Sequence, residues 1–275
     1  MKISFSPFLN SVPLGWSFIH GPLKSSFEVI LSSPANCADL LARGEVEVGL
    51  IPSIEYQRIP KLQIIPGISV ASTSRVRSVL LVQRREVEEV RSVALDTSSR
   101  TSVVLAKLLL ELRMGLKPRY IPHPPDLDVM LRNCDAAIVI GDRALQIALE
   151  DFRITDLAEA WIEWQHRPFV FALWACRSDT SHAGEFAGIF KQAKEYGLAS
   201  RPQIAASYAE SLSLPEPFLL KYLSENVDYD LGPSHIEGLS RFYALAREKD
   251  LIAELRPVRF LNLDTSNTPA VTTTR

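Results

Sequence analysis

"LDTSSRTSVVLAKLLLEL", residues 95–112, reads as the end of a strand, a polar turn and a helix. Between the two apolar segments stand Asp96, Thr97, Ser98, Ser99, Arg100, Thr101 and Ser102, seven polar residues of which five bear hydroxyls. One capping side chain is enough to start a helix. Ser98 or Ser99 is expected to fill that role, leaving the other hydroxyls to face a ligand. A helix N-terminus exposes unpaired N–H groups and about half a unit of positive charge, so the turn suits a carboxylate or a phosphate. An over-decorated cap with solvent-facing hydroxyls is the competing reading.

The same rhythm of apolar strand, polar turn and helix recurs through the first half of the chain. A strand from about Lys2 to Ser6 leads into a loop at Pro7 to Pro13. "SPANCADLLARGEV" reads as a helix capped near Ser33 and closed by Gly44. "VEVGLIPSIEY", "SVLLVQ", "VRSVALD" and "DAAIVIG" supply further strands. Strands alternating with helical patterns argue for parallel sheets with helices on their faces. In such sheets ligands lie beyond the carboxyl ends of the strands. The polar residues at those ends are Asn10 and Ser11, then Ser53, Glu55 and Tyr56 after Pro52, then the 96–102 cluster, and finally Asp142 after Gly141. Asn10 offers both a donor and an acceptor, and its alternative role is Asx capping. Asp142 either fixes a substrate hydroxyl or caps the helix that follows. Arg75, Arg77 and Ser78 stand just before a strand, and the arginines either pair with an acid or remain solvated. From about Ser181 onward the patterns are amphipathic helices, and residues 264–275, "DTSNTPAVTTTR", are expected to form a disordered tail.

The 275 residues carry a net charge of −2, with 47% hydrophobic and 23% charged residues. Those values suit a large α/β protein and provide no electrostatic case for nucleic acid or an anionic membrane as partner. Cys37, Cys134 and Cys176 are too few and too scattered for a disulfide framework or a zinc site, and are expected to be reduced. No metal site, P-loop or dinucleotide fingerprint stands out, and no cofactor is expected. The N-terminus lacks a secretion-type apolar region and no run approaches the roughly 18 residues of a membrane span, which predicts a cytoplasmic location. His166, in "WIEWQHRPFVFALW", is the one conventional acid–base candidate near a polar loop.

Six segments in this order resemble the chorismate dehydratase family of the futalosine route to menaquinone. They are "FLNSVPL" (8–14), "LARGEVEVGLIPSIEY" (41–56), "VRSVLL" (76–81), "VALDTSSRTSVVLAKLLL" (93–110), "DAAIVIGDRAL" (135–145) and "RPFVFALW" (167–174). The resemblance implies an α/β, type II periplasmic-binding-protein-like fold of two lobes with a ligand cleft between them. Residues 1–85 plus 168–263 would form lobe one, with a helical C-terminal part, and 86–167 lobe two. It implies loss of water from chorismate to give 3-[(1-carboxyvinyl)oxy]benzoate, with the substrate's own side-chain carboxylate as a possible base. On this reading Asn10 and Ser78 are the catalytic candidates. Ser11, Ser53, Tyr56, Ser99, Arg100, Thr101, Ser102 and Asp142 are the substrate-binding candidates. Two departures stand out: a Gly-Leu is expected where His166-Arg167 occur, and a glycine near Ser74. His166 is therefore expected to be a wall residue of the cleft and not the base. Two alternatives remain at this point: the sister enzyme 1,4-dihydroxy-6-naphthoate synthase, expected to need a catalytic histidine, and a non-catalytic solute-binding protein.

Overall fold

The computed structural model describes residues 1–84, 86–180 and 183–261. The expected tail at 264–275 lies outside the described residues. The chain begins β1 (Lys2–Phe5), α1 (Val12–Ile19), β2 (Glu28–Leu31), α2 (Pro34–Arg43), β3 (Val48–Pro52), α3 (Glu55–Arg58) and β4 (Leu62–Ser72). It continues with β5 (Val79–Gln83), β6 (Ser92–Asp96), α4 (Thr101–Leu108), β7 (Arg119–His123), α5 (Leu127–Asn133), β8 (Ala136–Ile140), α6 (Asp142–Leu145), β9 (Arg153–Asp156) and α7 (Leu157–Gln165). It then returns through β10 (Phe169–Arg177) to α8 (Ala183–Ala199), α9 (Arg201–Leu212), α10 (Glu216–Lys221) and α11 (Pro233–Glu248).

Two five-stranded sheets result, ordered β2-β1-β3-β10-β4 and β7-β6-β8-β5-β9. The central strands β3, β5, β6 and β8 are buried along their whole length, which is why they read as continuous apolar runs. In the first lobe Trp174 meets Phe5, Phe18 and Phe190 edge-on, so β10, β1, α1 and α8 share one aromatic core. Ser33 caps α2 through the Asn36 N–H and Gly44 closes it in the left-handed region, as the pattern predicts.

The structure corrects two expectations. The sheets are mixed, not parallel: β10 runs antiparallel to β3 and β4, and β5 antiparallel to β8 and β9. These two strands follow the two crossings between lobes, so each enters its sheet against the local direction. Also, β5 belongs to the second sheet. The outward crossing is therefore the stretch 73–78 and not the region of Arg85, where the expected lobe boundary fell. An apolar strand such as "VLLVQ" fits either sheet, and the sequence carries no sign of which. Asp156, buried at the head of α7, pins this crossing: its carboxylate accepts from the Arg77 N–H at 2.6 Å and the Val76 N–H at 3.3 Å. It also caps α7 through the Ala158 and Glu159 N–H groups.

The lobes are held together by polar contacts across the cleft. Arg100, at the head of α4, reaches both carboxylate oxygens of Asp39 at 2.8 Å and Glu55 at 2.9 Å, on α2 and α3 of the other lobe. The Thr101 hydroxyl accepts from the Ile54 N–H at 3.2 Å. Asp142 accepts from the Leu9 N–H at 2.8 Å. Gly141 has a φ of 65°, and a Cβ there would lie 2.9 Å from the Phe8 ring, so only glycine allows this approach.

His166 is not a cleft wall. It is an exposed residue just past α7, in the left-handed region at φ 54°, with its N–H on the Ile162 carbonyl at 2.8 Å. That is a helix C-cap that favours glycine, which accounts for the glycine expected there. Ser74, the other departure, has no positive φ.

Three outcomes follow from these contacts. His166→Gly removes left-handed strain at an exposed cap and should raise unfolding stability in urea by about 0.5–1 kcal/mol; an unchanged midpoint would mean that the histidine side chain compensates. Arg100→Met leaves the buried Glu55 short of a partner and should lower stability by up to about 3 kcal/mol, with a larger radius of gyration by small-angle scattering as the lobes part. Burial pushes the Asp142 carboxyl from its usual 3.8 up to about 6, against a smaller lowering by the Leu9 N–H. Between those values the folded protein holds a proton that the unfolded chain has released. Stability should therefore fall as pH rises from 4 to 6, by on the order of 3 kcal/mol, and Asp142→Asn should flatten that slope in parallel urea titrations.

Candidate active site

A cavity lies between the two sheets, at the carboxyl ends of β3, β6 and β8, with about 470 Å³ of empty space including its mouth. Its walls are largely apolar, with Phe8, Val70, Val79, Ile140 and Phe171 among them. Polar groups enter the lining from both lobes: Asn10 and Ser11 from lobe one, and Ser99 to Ser102 from lobe two.

The head of α4 departs from the expected cap. Arg100 occupies the cap position and makes no side-chain cap bond. Ser98 spends its N–H and its hydroxyl on the buried Asp96 carboxylate, at 2.8 and 2.6 Å, which shapes the turn. Ser99 and Ser102 both line the cavity, and among the described residues their hydroxyls have no protein partner. The first N–H groups of α4 thus open toward the cavity with two unspent hydroxyls beside them, and the helix dipole favours negative charge there.

The other candidates divide by what their side chains touch. Thr101 lines the cavity, but its oxygen already serves the Ile54 N–H and lies 3.4 Å from the Ser53 hydroxyl. Arg100 also lines it, yet its guanidinium is committed to Asp39 and Glu55. Ser53 is fully buried and donates to the Val170 carbonyl at 2.7 Å. Tyr56 lies elsewhere, donating to the Pro257 carbonyl and accepting from the Arg259 N–H, so it anchors the C-terminal segment. Asp142 adjoins the cavity through Gly141 but spends an oxygen on Leu9. Arg75 lies 3.8 Å from Glu159, and Arg77 covers the Phe218 ring at 5.0 Å, so neither faces the cavity.

Asn10 lines the cavity and its oxygen accepts from the Ser11 hydroxyl at 3.0 Å. The amide nitrogen is left as a donor. Ser78 is fully buried directly behind lining residues: it precedes Val79, and its carbonyl accepts from the Gly141 N–H at 2.8 Å. Its hydroxyl accepts from Tyr222 at 2.7 Å. Tyr222 was not among the candidates. It comes from a helical segment 144 residues away, and no local motif marks it.

The cysteines are free and buried; burial pushes the Cys37 and Cys176 thiols up to about 11, so neither is a ready nucleophile. No histidine among the described residues lines the cavity. Among the described residues no helix is long and apolar enough to cross a membrane.

Comparison with known proteins agrees with this architecture. A chorismate dehydratase from Thermus thermophilus is 32% identical over 234 residues, 78% of this chain and 85% of that protein. A solved structure from Archaeoglobus fulgidus superposes with a TM-score of 0.74 at 21% identity, covering 91% of this chain and 98% of the other. The periplasmic aliphatic sulphonate binding protein of Escherichia coli does so with 0.65 at 17% identity, covering 92% and 94%. These likenesses establish a periplasmic-binding-protein-like fold. The family described by menaquinone biosynthesis matches residues 1–248. This chain therefore belongs to the menaquinone biosynthesis family.

Proposed function

We propose that this chain is a chorismate dehydratase, a carbon–oxygen lyase that converts chorismate to 3-[(1-carboxyvinyl)oxy]benzoate and water. The observation that carries the reading is the uncapped α4 terminus, with the free Ser99 and Ser102 hydroxyls, in the lining of a largely apolar cavity. Chorismate has the matching parts: a planar diene for the apolar walls, two carboxylates for anion sites and one hydroxyl for a polar partner. The family and the Thermus thermophilus relative support the same activity.

The chemistry follows from the substrate. The C3–H bond is vinylogous to the ring carboxylate, so its electrons delocalise into that carboxylate as the bond breaks. The C4–O bond then breaks, hydroxide leaves with the proton as water, and the ring becomes aromatic. No electrons are gained or lost overall. Charge builds on the ring carboxylate in the transition state, and donors fixed at the head of α4 stabilise it there without reorganising. Asn10 serves as the orienting donor and Ser78 as the hydroxyl partner. No histidine or carboxylate lines the cavity among the described residues, which favours the substrate's side-chain carboxylate as the proton acceptor.

The naphthoate synthase reading loses its support with His166 exposed at a helix end. A binding-only role shares the fold but not the family match.

Incubation with chorismate should release an aromatic product, visible by absorbance and mass spectrometry. Chorismate recovered unchanged sinks the reading. Ser99→Ala with Ser102→Ala should weaken chorismate binding by about 1–3 kcal/mol in calorimetry, the loss expected for hydrogen bonds to a charge. His166→Gln should alter turnover by less than about tenfold, below roughly 1.4 kcal/mol of barrier; a larger drop with substrate still bound would restore a base role for the histidine.

A further inference from the structure

Among the polar groups around the cavity, the Ser78 hydroxyl has an unusual balance. It is fully buried, it receives a hydrogen bond from the Tyr222 hydroxyl at 2.7 Å, and its own proton has no acceptor among the described residues. A buried donor left unmade is costly unless something accepts it. The residues on either side of it in space, Val79 and Gly141, form the cavity wall. Its spare proton is thus left beside that wall, with no protein acceptor among the described residues.

Tyr222 decides this direction. A serine hydroxyl can donate to only one partner, and a neighbouring phenol could either take that proton or supply its own. Here the phenol supplies it. Burial keeps Tyr222 protonated far above the usual range, a push to which Asp142 and Asp156 add; its contacts to Ser78 and to the Asn10 side chain work the other way. The tyrosine thus keeps a proton to donate, and its hydroxyl gives that proton to the serine oxygen. Asn10 lies near the same phenol, with its oxygen spent on the Ser11 hydroxyl.

We propose that Tyr222 is a positioning residue for the dehydration, aiming the Ser78 proton into the cavity by occupying the serine oxygen from behind. This inference rests on the chorismate dehydratase reading and adds to it a residue from the C-terminal helical part. The chain of donors runs one way: Tyr222 to Ser78, and Ser78 to the departing C4 hydroxyl. No proton needs to be transferred along it. The hydrogen bond to the leaving oxygen strengthens as that oxygen gains charge, and the proton lost from C3 accounts for the water released. Groups linked this way polarise one another, so the serine is a better donor with the tyrosine in place.

The test is a double-mutant cycle on chorismate turnover, with kcat and KM measured separately for wild type, Tyr222→Phe, Ser78→Ala and the double variant. The expected result is a kcat lowered about tenfold or more by Tyr222→Phe with KM within about threefold, and a double variant no slower than Ser78→Ala alone. If Tyr222→Phe does not melt cooperatively, p-fluorophenylalanine at position 222 fills the hydroxyl's space without its proton, and the same result is expected. An unchanged kcat, or losses that multiply in the double variant, would overturn the positioning role while leaving the dehydratase reading intact. A wild-type protein that leaves chorismate unchanged overturns both.

Discussion

Arg100 joins the head of α4 to the opposite lobe, and the geometry of the cavity depends on it. Its guanidinium lies between Asp39 and the buried Glu55, which Arg58 shares at 2.8 Å. The charge that a sequence reading would offer to a substrate anion is thus consumed by the protein itself. What it secures is the aim of the helix. With Arg100 in the cap position and tied sideways, no side chain covers the first N–H groups of α4.

The contact between the lobes and the open α4 terminus are therefore one arrangement. The same turn that bridges the lobes through Arg100 and Thr101 presents Ser99 and Ser102 to the cavity. Where the lobes meet, Phe8 packs on Gly141, and apolar residues of both lobes line the cavity. Excluding water makes the helix dipole and the free hydroxyls more effective, because the local dielectric falls. A receptor of the same fold uses such closure to hold a ligand. Donors fixed at a helix terminus suit a charge that grows during a reaction.

The surplus of hydroxyls at residues 97–102 divides into three tasks. Ser98 shapes the turn against Asp96, Thr101 joins the lobes, and Ser99 with Ser102 are left for a ligand. Two other pairs divide in the same way: the Ser11 hydroxyl bonds the Asn10 oxygen, and the Tyr222 hydroxyl bonds Ser78. In each case one polar residue sets the direction in which its neighbour donates.

The sequence by itself determined the α/β rhythm, the caps of α2, the helical C-terminal part and the polar turns at the strand ends, because each of these is a local matter of apolar spacing and backbone chemistry. It also carried the family, through segments spread over most of the chain. The edge strands β2, β7 and β9 escaped it, since exposed strands carry little apolar pattern. Only the tertiary structure decided the sheet to which β5 belongs, because a strand buried on both faces has no side that marks its neighbours. Only the tertiary structure separated Ser99 and Ser102 from Arg100, Ser53 and Tyr56, which look equally available in the sequence but are bonded to partners far along the chain. Tyr222 and Ser78 are 144 residues apart, and a hydrogen bond between them exists only once the C-terminal helices pack against the crossing.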